Sequence, residues 1–471
     1  MRALIRRLPY PIKQNLKRAY GALPLSLRYG KAFRDTYRFL LESQWWTRER
    51  LQEYQMEQLS RLLAHAYENV PYYRQLFAEY GLNPEDIQTF DDLRRLPSLQ
   101  KDDFKRNIDM MVASNRDTRK LRVATTSGTS GKPLQFYWDW HEHQREWAFV
   151  CHQWSRVGYQ PGEPRVELRG QVVQGKNTVY HDPVERVLRL SPRIDSKEQA
   201  VLYLDEIESF GARFLHGYPS AIGHLALMAH QYGLRIGFRL KAVLSASEPV
   251  YPWQREVIQQ VFGCRIYSFY GMAEHVVMAG ECENSATYHC VPQYGITEID
   301  PVTDEIIGTS FLNYANPFIR YRTTDIASQP VGLGCSVCGR HYYPIFAAVA
   351  GRLDDYIVTP KGIPVSPAAI THPFKDLKTV RLSQLTQDSA DRLVVRVVPW
   401  EPLNQGELEK EKSKLRRELQ AILTPDMNIR VDLVDSIEVS ESGKFKWIQS
   451  KVAKDMLREG LVPGCAPPKR D

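Results

Sequence analysis

Apolar positions recur every three or four residues between Thr47 and Val70, where Leu51, Tyr54, Leu59, Leu62, Leu63, Ala66 and Tyr67 draw one stripe along a helix. Pro71 ends that helix. Residues 91–96 read as a shorter helix, and Pro97-Ser98-Leu99 lead into a charged one over 101–107. From about residue 120 to 350 the texture changes. Brief apolar runs at 165–168, 214–215, 242–244 and 265–267 alternate with helical stretches near 197–209, 219–233 and 251–261. Strands alternating with helices predict a parallel α/β sheet. Beyond Asp354 comes an alternating strand at 392–398, a helix rich in Glu, Lys and Arg over 405–423, and a strand at 429–434. The pattern therefore predicts an α/β fold. A large N-terminal domain, 1–353, has a basic helical extension over 1–45, and a small α+β domain, 354–471, follows. The sharpest boundary is Gly351-Arg352-Leu353-Asp354-Asp355.

At 471 residues the chain has room for two or three cores. Its 43% hydrophobic and 25% charged residues are those of a globular protein. A net charge of +7 suits anionic ligands without arguing for nucleic acid. The seven cysteines are odd in number and clustered, unlike a secreted disulfide framework, so a reducing, cytoplasmic setting is expected. No run approaches the roughly 18 apolar residues that span a bilayer. The first 34 residues carry Arg2, Arg6, Arg7, Lys13, Lys17, Arg18, Arg28, Lys31 and Arg34 and no acid. That segment either touches an anionic membrane surface peripherally or packs onto the body of the protein.

Chemistry concentrates in a few places. Thr125-Thr126-Ser127-Gly128-Thr129-Ser130-Gly131-Lys132-Pro133 is dense in hydroxyls, with two glycines that let successive N–H groups converge on an anion and a lysine to add charge. It is not a Walker loop, because Lys132 is followed by proline and an aromatic run that reads as a strand. A flexible linker is the alternative. Downstream, Ser268-Phe269-Tyr270-Gly271-Met272-Ala273-Glu274-His275 follows a strand and is expected to open a helix. Tyr270 offers a flat face for a base and Glu274 a carboxylate for Mg²⁺, unless both are core and cap residues. Asn316 to Asp325 reads as an apolar strand ending in one acid, suited to ribose hydroxyls. Arg352 can fork onto a phosphate or ribose edge. Glu441-Ser442-Gly443-Lys444 closes the series.

In this order, Thr-Ser-Gly-Thr-Ser-Gly-Lys-Pro, Tyr-Gly-Met-Ala-Glu, Tyr-Arg-Thr-Thr-Asp, Gly-Arg-Leu-Asp-Asp and Ser-Gly-Lys-Phe-Lys resemble the adenylate-forming superfamily of acyl-CoA synthetases, adenylation domains and luciferases. The runs from Ala64 to Arg74, from Asp92 to Pro97 and from Gly217 to Ser220 resemble its phenylacetate–CoA ligase branch, especially the CapK-like members found with surface-polysaccharide genes. The resemblance implies a ligase that joins a carboxylic acid to AMP with release of pyrophosphate, then passes the acyl group to CoA or an amine. It implies that residues 125–132 hold the β and γ phosphates, that Ser247, Glu248, Tyr270, Gly271 and Met272 border the nucleotide, and that Glu274 binds Mg²⁺. Asp325 and Arg352 would hold the ribose, and Lys444 would neutralise charge during adenylation. His216, Gly217, Tyr218 and Phe269 would border the acyl group, and Asp354 would be the hinge of a mobile C-terminal domain.

Two positions depart from the family pattern. Thr324 stands where glycine is usual, and Ala273 where threonine is usual. They raise the alternative of a degenerate relative that binds nucleotide or acyl adenylate without turnover. Finally, Cys335-Ser-Val-Cys338 is a two-residue-spaced knuckle, with Cys282, His289 and Cys290 about 50 residues earlier. Zn²⁺ takes four such ligands in a structural site. His289 and Cys290 face opposite ways along a strand, so one of them is expected to ligate. Resemblance to relatives favours Cys282, His289, Cys335 and Cys338. The acid, the acceptor and the oligomeric state are not legible.

Overall fold

The computed structural model describes residues 12, 19–21, 23, 28–125, 134–170, 178–350, 356–437 and 447–453, with breaks at 193, 195, 249, 251, 303, 331–333, 343, 366, 371, 376–378 and 400–404. The helix expected before Pro71 spans Arg48–Asn69, capped by Thr47, whose hydroxyl accepts from the Arg50 amide. Leu51, Leu59, Leu62, Leu63 and Ala66 form its buried face, while Tyr54 and Tyr67 are half-buried. An earlier helix, Gly30–Ser43, buries Phe33 and Leu40 in a core shared with the helix Trp140–Ser155. The described part of the basic extension thus packs onto the body.

Strands β1 (Arg122–Thr125) and β2 (Gln135–Trp138) pair as an antiparallel hairpin whose connection is the hydroxyl-rich loop. Twelve strands then build one sheet: β3 (Arg165–Leu168), β4 (Val179–Asp182), β5 (Val187–Leu190), β6 (Phe214–Gly217), β7 (Ala242–Ala246), β8 (Arg265–Gly271), β9 (Met278–Glu281), β10 (Tyr288–Cys290), β11 (Gly295–Ile299), β12 (Glu305–Ser310), β13 (Tyr321–Pro330) and β14 (Ile345–Ala350). Their order is β11-β12-β13-β14-β10-β9-β8-β7-β6-β3-β5-β4.

The expectation of a parallel sheet holds for one half. Strands β5, β3, β6, β7 and β8 run parallel, whereas every pairing from β8 through β14 to β11 is antiparallel. The physical reason lies in the connections. Helices Lys197–Phe210, Pro219–Gln231 and Pro252–Phe262 provide the long crossovers that parallel pairing needs. Between β8 and β14 no helix intervenes among the described residues, and the strands turn back on their neighbours.

Beyond residue 356 lies a small unit with its own core, including Leu385, Val395, Leu419, Ile429 and Trp447. It holds the two-stranded β15 (Ile357–Val358) and β16 (Pro364–Val365), the helix Gln405–Ile422, and a sheet of β17 (Val380–Ser389), β18 (Arg392–Pro399), β19 (Asn428–Leu433) and β20 (Ile448–Ser450) in the order β19-β18-β17-β20. No helix among the described residues is long and apolar enough to cross a membrane.

Candidate active site

Strand β8 is central to the sheet and ends at Gly271. The helix expected to open there does not form. The Met272 carbonyl accepts from the His275 amide in a tight turn, His275 takes a positive φ of 53°, and the chain doubles back into β9. That backbone conformation cannot continue a right-handed helix. Glu274 is consequently held in a buried turn rather than at a helix start.

Asp325 also sits differently from expectation. It lies within β13 rather than at a strand end, because β13 begins at Tyr321 and continues to Pro330. Two hydrogen bonds join the segments. Tyr270 donates to Asp325 Oδ2 at 2.8 Å, and Tyr321 donates to Glu274 Oε1 at 3.1 Å. Each of the two motifs thus supplies a phenol to the other's carboxylate. Burial, reinforced by Asp325, pushes the Tyr270 phenol well above its ordinary pKa, so it remains a donor. Thr323 supports the site from behind: its hydroxyl donates to the Ile306 carbonyl at 2.8 Å and accepts from the Asp325 amide at 3.1 Å.

His275 points the other way. Its Nδ1 donates to Glu142 Oε1 at 3.1 Å. Burial disfavours the imidazolium, but Glu146, Glu142 and Glu274 outweigh it and raise the His275 pKa to about 9. Thr125, at the end of β1, is half-buried. The hairpin that carries it is tied to the turn before β13, because the Tyr137 amide donates to Asn316 Oδ1 at 2.6 Å and Asn313 Nδ2 donates to the Tyr137 carbonyl at 2.9 Å. Residues Thr126, Ser127, Gly128, Thr129, Ser130, Gly131 and Lys132, together with Arg352, Asp354 and Lys444, lie outside the described residues.

Beyond β7, Ser247 adopts a φ of 74° and Glu248 is buried. At the end of β6 stands His216, with Nδ1 donating to the Leu244 carbonyl at 2.7 Å and Nε2 at 2.7 Å from Arg169. Burial, then Arg169, lowers its pKa to about 3, leaving a neutral ring. Gly217 is required by close approach, since a Cβ there would overlap the Leu168 carbonyl. A cavity of about 1710 Å³ opens over His216 and Tyr218, walled by Trp147, Trp154 and Arg169. Gly217 and Phe269 do not line it, and neither do Tyr270, Glu274 and Asp325. Its lining also includes Thr359 and Lys361 of the small unit.

The cysteine knuckle assembles as expected. Among the described residues, Cys282, His289, Cys335 and Cys338 bring one donor atom each within 4.8 Å of one another. Cys290 turns into the core, where burial pushes its thiol up to about 12. His289 is buried, and its Nε2 has no hydrogen-bond partner among the described residues. Burial, then Arg156 and Arg340, lowers its pKa to about 3. A neutral imidazole beside three thiols fits a structural zinc ion. Arg340 links the knuckle to the N-terminal helix, contacting Glu283 Oε1 at 2.5 Å and Gln44 Oε1 at 2.9 Å.

Comparison with known proteins adds likeness to that geometry. Residues 357–451 match the family model of the CapK C-terminal domain. The chain is 23% identical over 443 residues to Protein CapK of Staphylococcus aureus, covering 91% of this chain and 94% of that one. It is 25% identical over 430 residues to the phenylacetate-coenzyme A ligase of Pseudomonas putida, covering 85% and 94%. Residues 357–451 thus carry the CapK C-terminal domain, and over most of its length the chain is similar to CapK and to phenylacetate–CoA ligases of the adenylate-forming type. The fold agrees: a 2-hydroxyisobutyryl-CoA ligase solved in its postadenylation state superposes with a TM-score of 0.53 at 18% identity, over 89% of this chain and 94% of that one. In this CapK-like chain, sequence reasoning overlooked Tyr321, Glu142 and Arg169. Tyr321 stood inside a quoted motif, but its partner Glu274 is 47 residues away, and nothing local signals such a pairing.

Proposed function

We propose that this chain is an ATP-dependent ligase that activates a carboxylic acid as its acyl adenylate and transfers the acyl group to CoA. The reading rests most directly on the reciprocal pairing of Tyr270 with Asp325 and Tyr321 with Glu274. It sets the buried Glu274 just past the C-terminal end of β8, where ligands of α/β sheets bind, and ties the half-buried Asp325 of the antiparallel β13 to the same place. Asp325 takes the ribose hydroxyls, joined by Arg352, and the Tyr270 ring flanks the base with Ser247, Glu248, Gly271 and Met272 beside it. Glu274 would hold Mg²⁺, whose charge would offset that of the phosphates, and residues 125–132 grip the β and γ phosphates.

In the first step a carboxylate oxygen of the acid attacks the α-phosphorus and pyrophosphate leaves. Lys444 offsets the negative charge that converges there. In the second, the CoA sulfur adds to the acyl carbon and AMP departs with the electron pair. A hinge at Asp354, between domains 1–353 and 354–471, exchanges the faces presented in the two steps. His216 and Tyr218 belong to the acyl wall, and zinc at the knuckle is structural. The finer reading is that the acyl product serves surface-polysaccharide assembly, with an amine as the alternative acceptor.

Radiolabelled pyrophosphate, ATP and a panel of aryl, fatty, amino and uronic acids test the first step, because label enters ATP only if adenylation is reversible. The expected result is acid-dependent exchange that falls at least about 100-fold in Lys444→Ala. Tight ATP binding by calorimetry without exchange would instead identify a nucleotide-binding relative without turnover.

A further inference from the structure

The large cavity is walled by aromatic rings but is not apolar. Among the described residues, Arg28, Arg165, Arg169 and Arg189 line it. Three are committed. Arg165 donates to Glu167 Oε1 at 2.7 Å, and Arg189 donates to Glu167 Oε2 at 2.5 Å and to Glu185 Oε2 at 2.8 Å. Burial works against the Glu167 carboxylate, yet Arg165 and Arg189 hold its pKa down to about 2. Arg28 donates to the backbone carbonyls of Gly21 and Val184.

Arg169 differs. Its hydrogen-bond partner among the described residues is His216 Nε2, a neutral acceptor whose own proton is engaged by the Leu244 carbonyl. The remaining contact of its guanidinium is with the Tyr218 ring, 5.9 Å from the centroid. No carboxylate of the described residues pairs with it. A half-buried cation is thus fixed by one of its five N–H groups at the C-terminal ends of β3 and β6. Among the described residues no carboxylate forms an ion pair with it, and it faces a space larger than the roughly 300–1,000 Å³ of ordinary small-molecule pockets.

We infer that Arg169 is a specificity-determining residue that receives a second anionic group, a carboxylate on the acid being activated, so that the preferred substrates are acids bearing a further negative charge. His216 holds the guanidinium, leaving its outer edge for a two-point contact with a carboxylate. Trp147 and Trp154 flank the carbon skeleton between the two charges. The inference rests on the ligase reading above and deepens it. Phosphates of the acceptor offer similar chemistry, so the test separates the two sources.

Pyrophosphate exchange without CoA is measured with matched pairs of acids: succinate against butyrate, glutarate against valerate, and 4-carboxyphenylacetate against phenylacetate. The expected result is a preference of about 10- to 100-fold in kcat/KM for the doubly charged member of a pair, carried by KM. Arg169→Leu, checked for an unchanged melting temperature, erases that preference, and Arg169→Lys restores part of it. Exchange that is equal within each pair, or a preference surviving in Arg169→Leu, overturns the assignment while leaving the ligase reading intact. So does an effect of Arg169→Leu seen only as a higher KM for CoA in the complete reaction, which would place the anion on the acceptor. No exchange with any acid removes the ligase reading itself and this inference with it.

Discussion

The Tyr270 hydroxyl lies 2.8 Å from Asp325, although three strands stand between β8 and β13 in the sheet. Four strand spacings of a flat sheet would put them roughly 19 Å apart. The antiparallel half of the sheet therefore curls until two distant strands face each other, and the candidate nucleotide site is the seam where they meet. Asp325→Ala should raise the KM for ATP about 10- to 100-fold in pyrophosphate exchange, with Tyr270→Phe smaller, about 3- to 10-fold. An unchanged KM in both would detach this pair from the nucleotide.

The second hydrogen bond of the seam makes a separate prediction. Tyr321→Phe frees Glu274 from its only phenolic partner among the described residues and leaves the buried carboxylate less well placed for a cation. Half-saturation by Mg²⁺ should shift several-fold upward while the KM for the acid stays constant. A change confined to the acid would argue against a metal role for Glu274.

His275 predicts a pH dependence of stability. Its pKa is raised from 6.5 to about 9 in the folded chain. The folded state binds the proton more tightly than the unfolded one, so the stabilisation is fully present below about pH 6.5 and is lost as pH rises toward 9. Thermal melts from pH 6 to 10 should show a decline over that window that is smaller in His275→Gln. An identical slope in both proteins would mean that the Glu142 contact contributes nothing measurable.

The knuckle predicts about one zinc per chain by metal analysis. Cys338→Ser should lower both the zinc content and the melting temperature, and it should loosen the Arg340–Gln44 contact that ties the knuckle to the N-terminal helix. A metal-free protein of equal stability would leave the four side chains as a packed thiol cluster.

Much of this arrangement was legible before the fold was known. The helix ending at Pro71, strand β3 and the crossover helices follow from local periodicity and proline placement, and the separation of His289 from Cys290 follows from strand alternation. The antiparallel half was not legible, because short apolar runs look alike whichever way the next strand returns. The turn at His275 was missed for a related reason: a sequence after a strand end shows helix propensity but not a positive φ forced by tertiary packing. Arg169 escaped notice since an arginine after an apolar run reads as a solvated charge, and its meaning arises only by contrast with Arg165 and Arg189, which pair with carboxylates while Arg169, among the described residues, pairs with a histidine.

Attack by a carboxylate oxygen of the acid on the α-phosphorus of ATP leaves a mark that isotope transfer reads. With an acid that supports exchange, labelled with oxygen-18 in its carboxylate, and with CoA present, the AMP formed should carry one labelled oxygen and the pyrophosphate none. Label in inorganic phosphate with ADP as the nucleotide product, or unlabelled AMP, would contradict it.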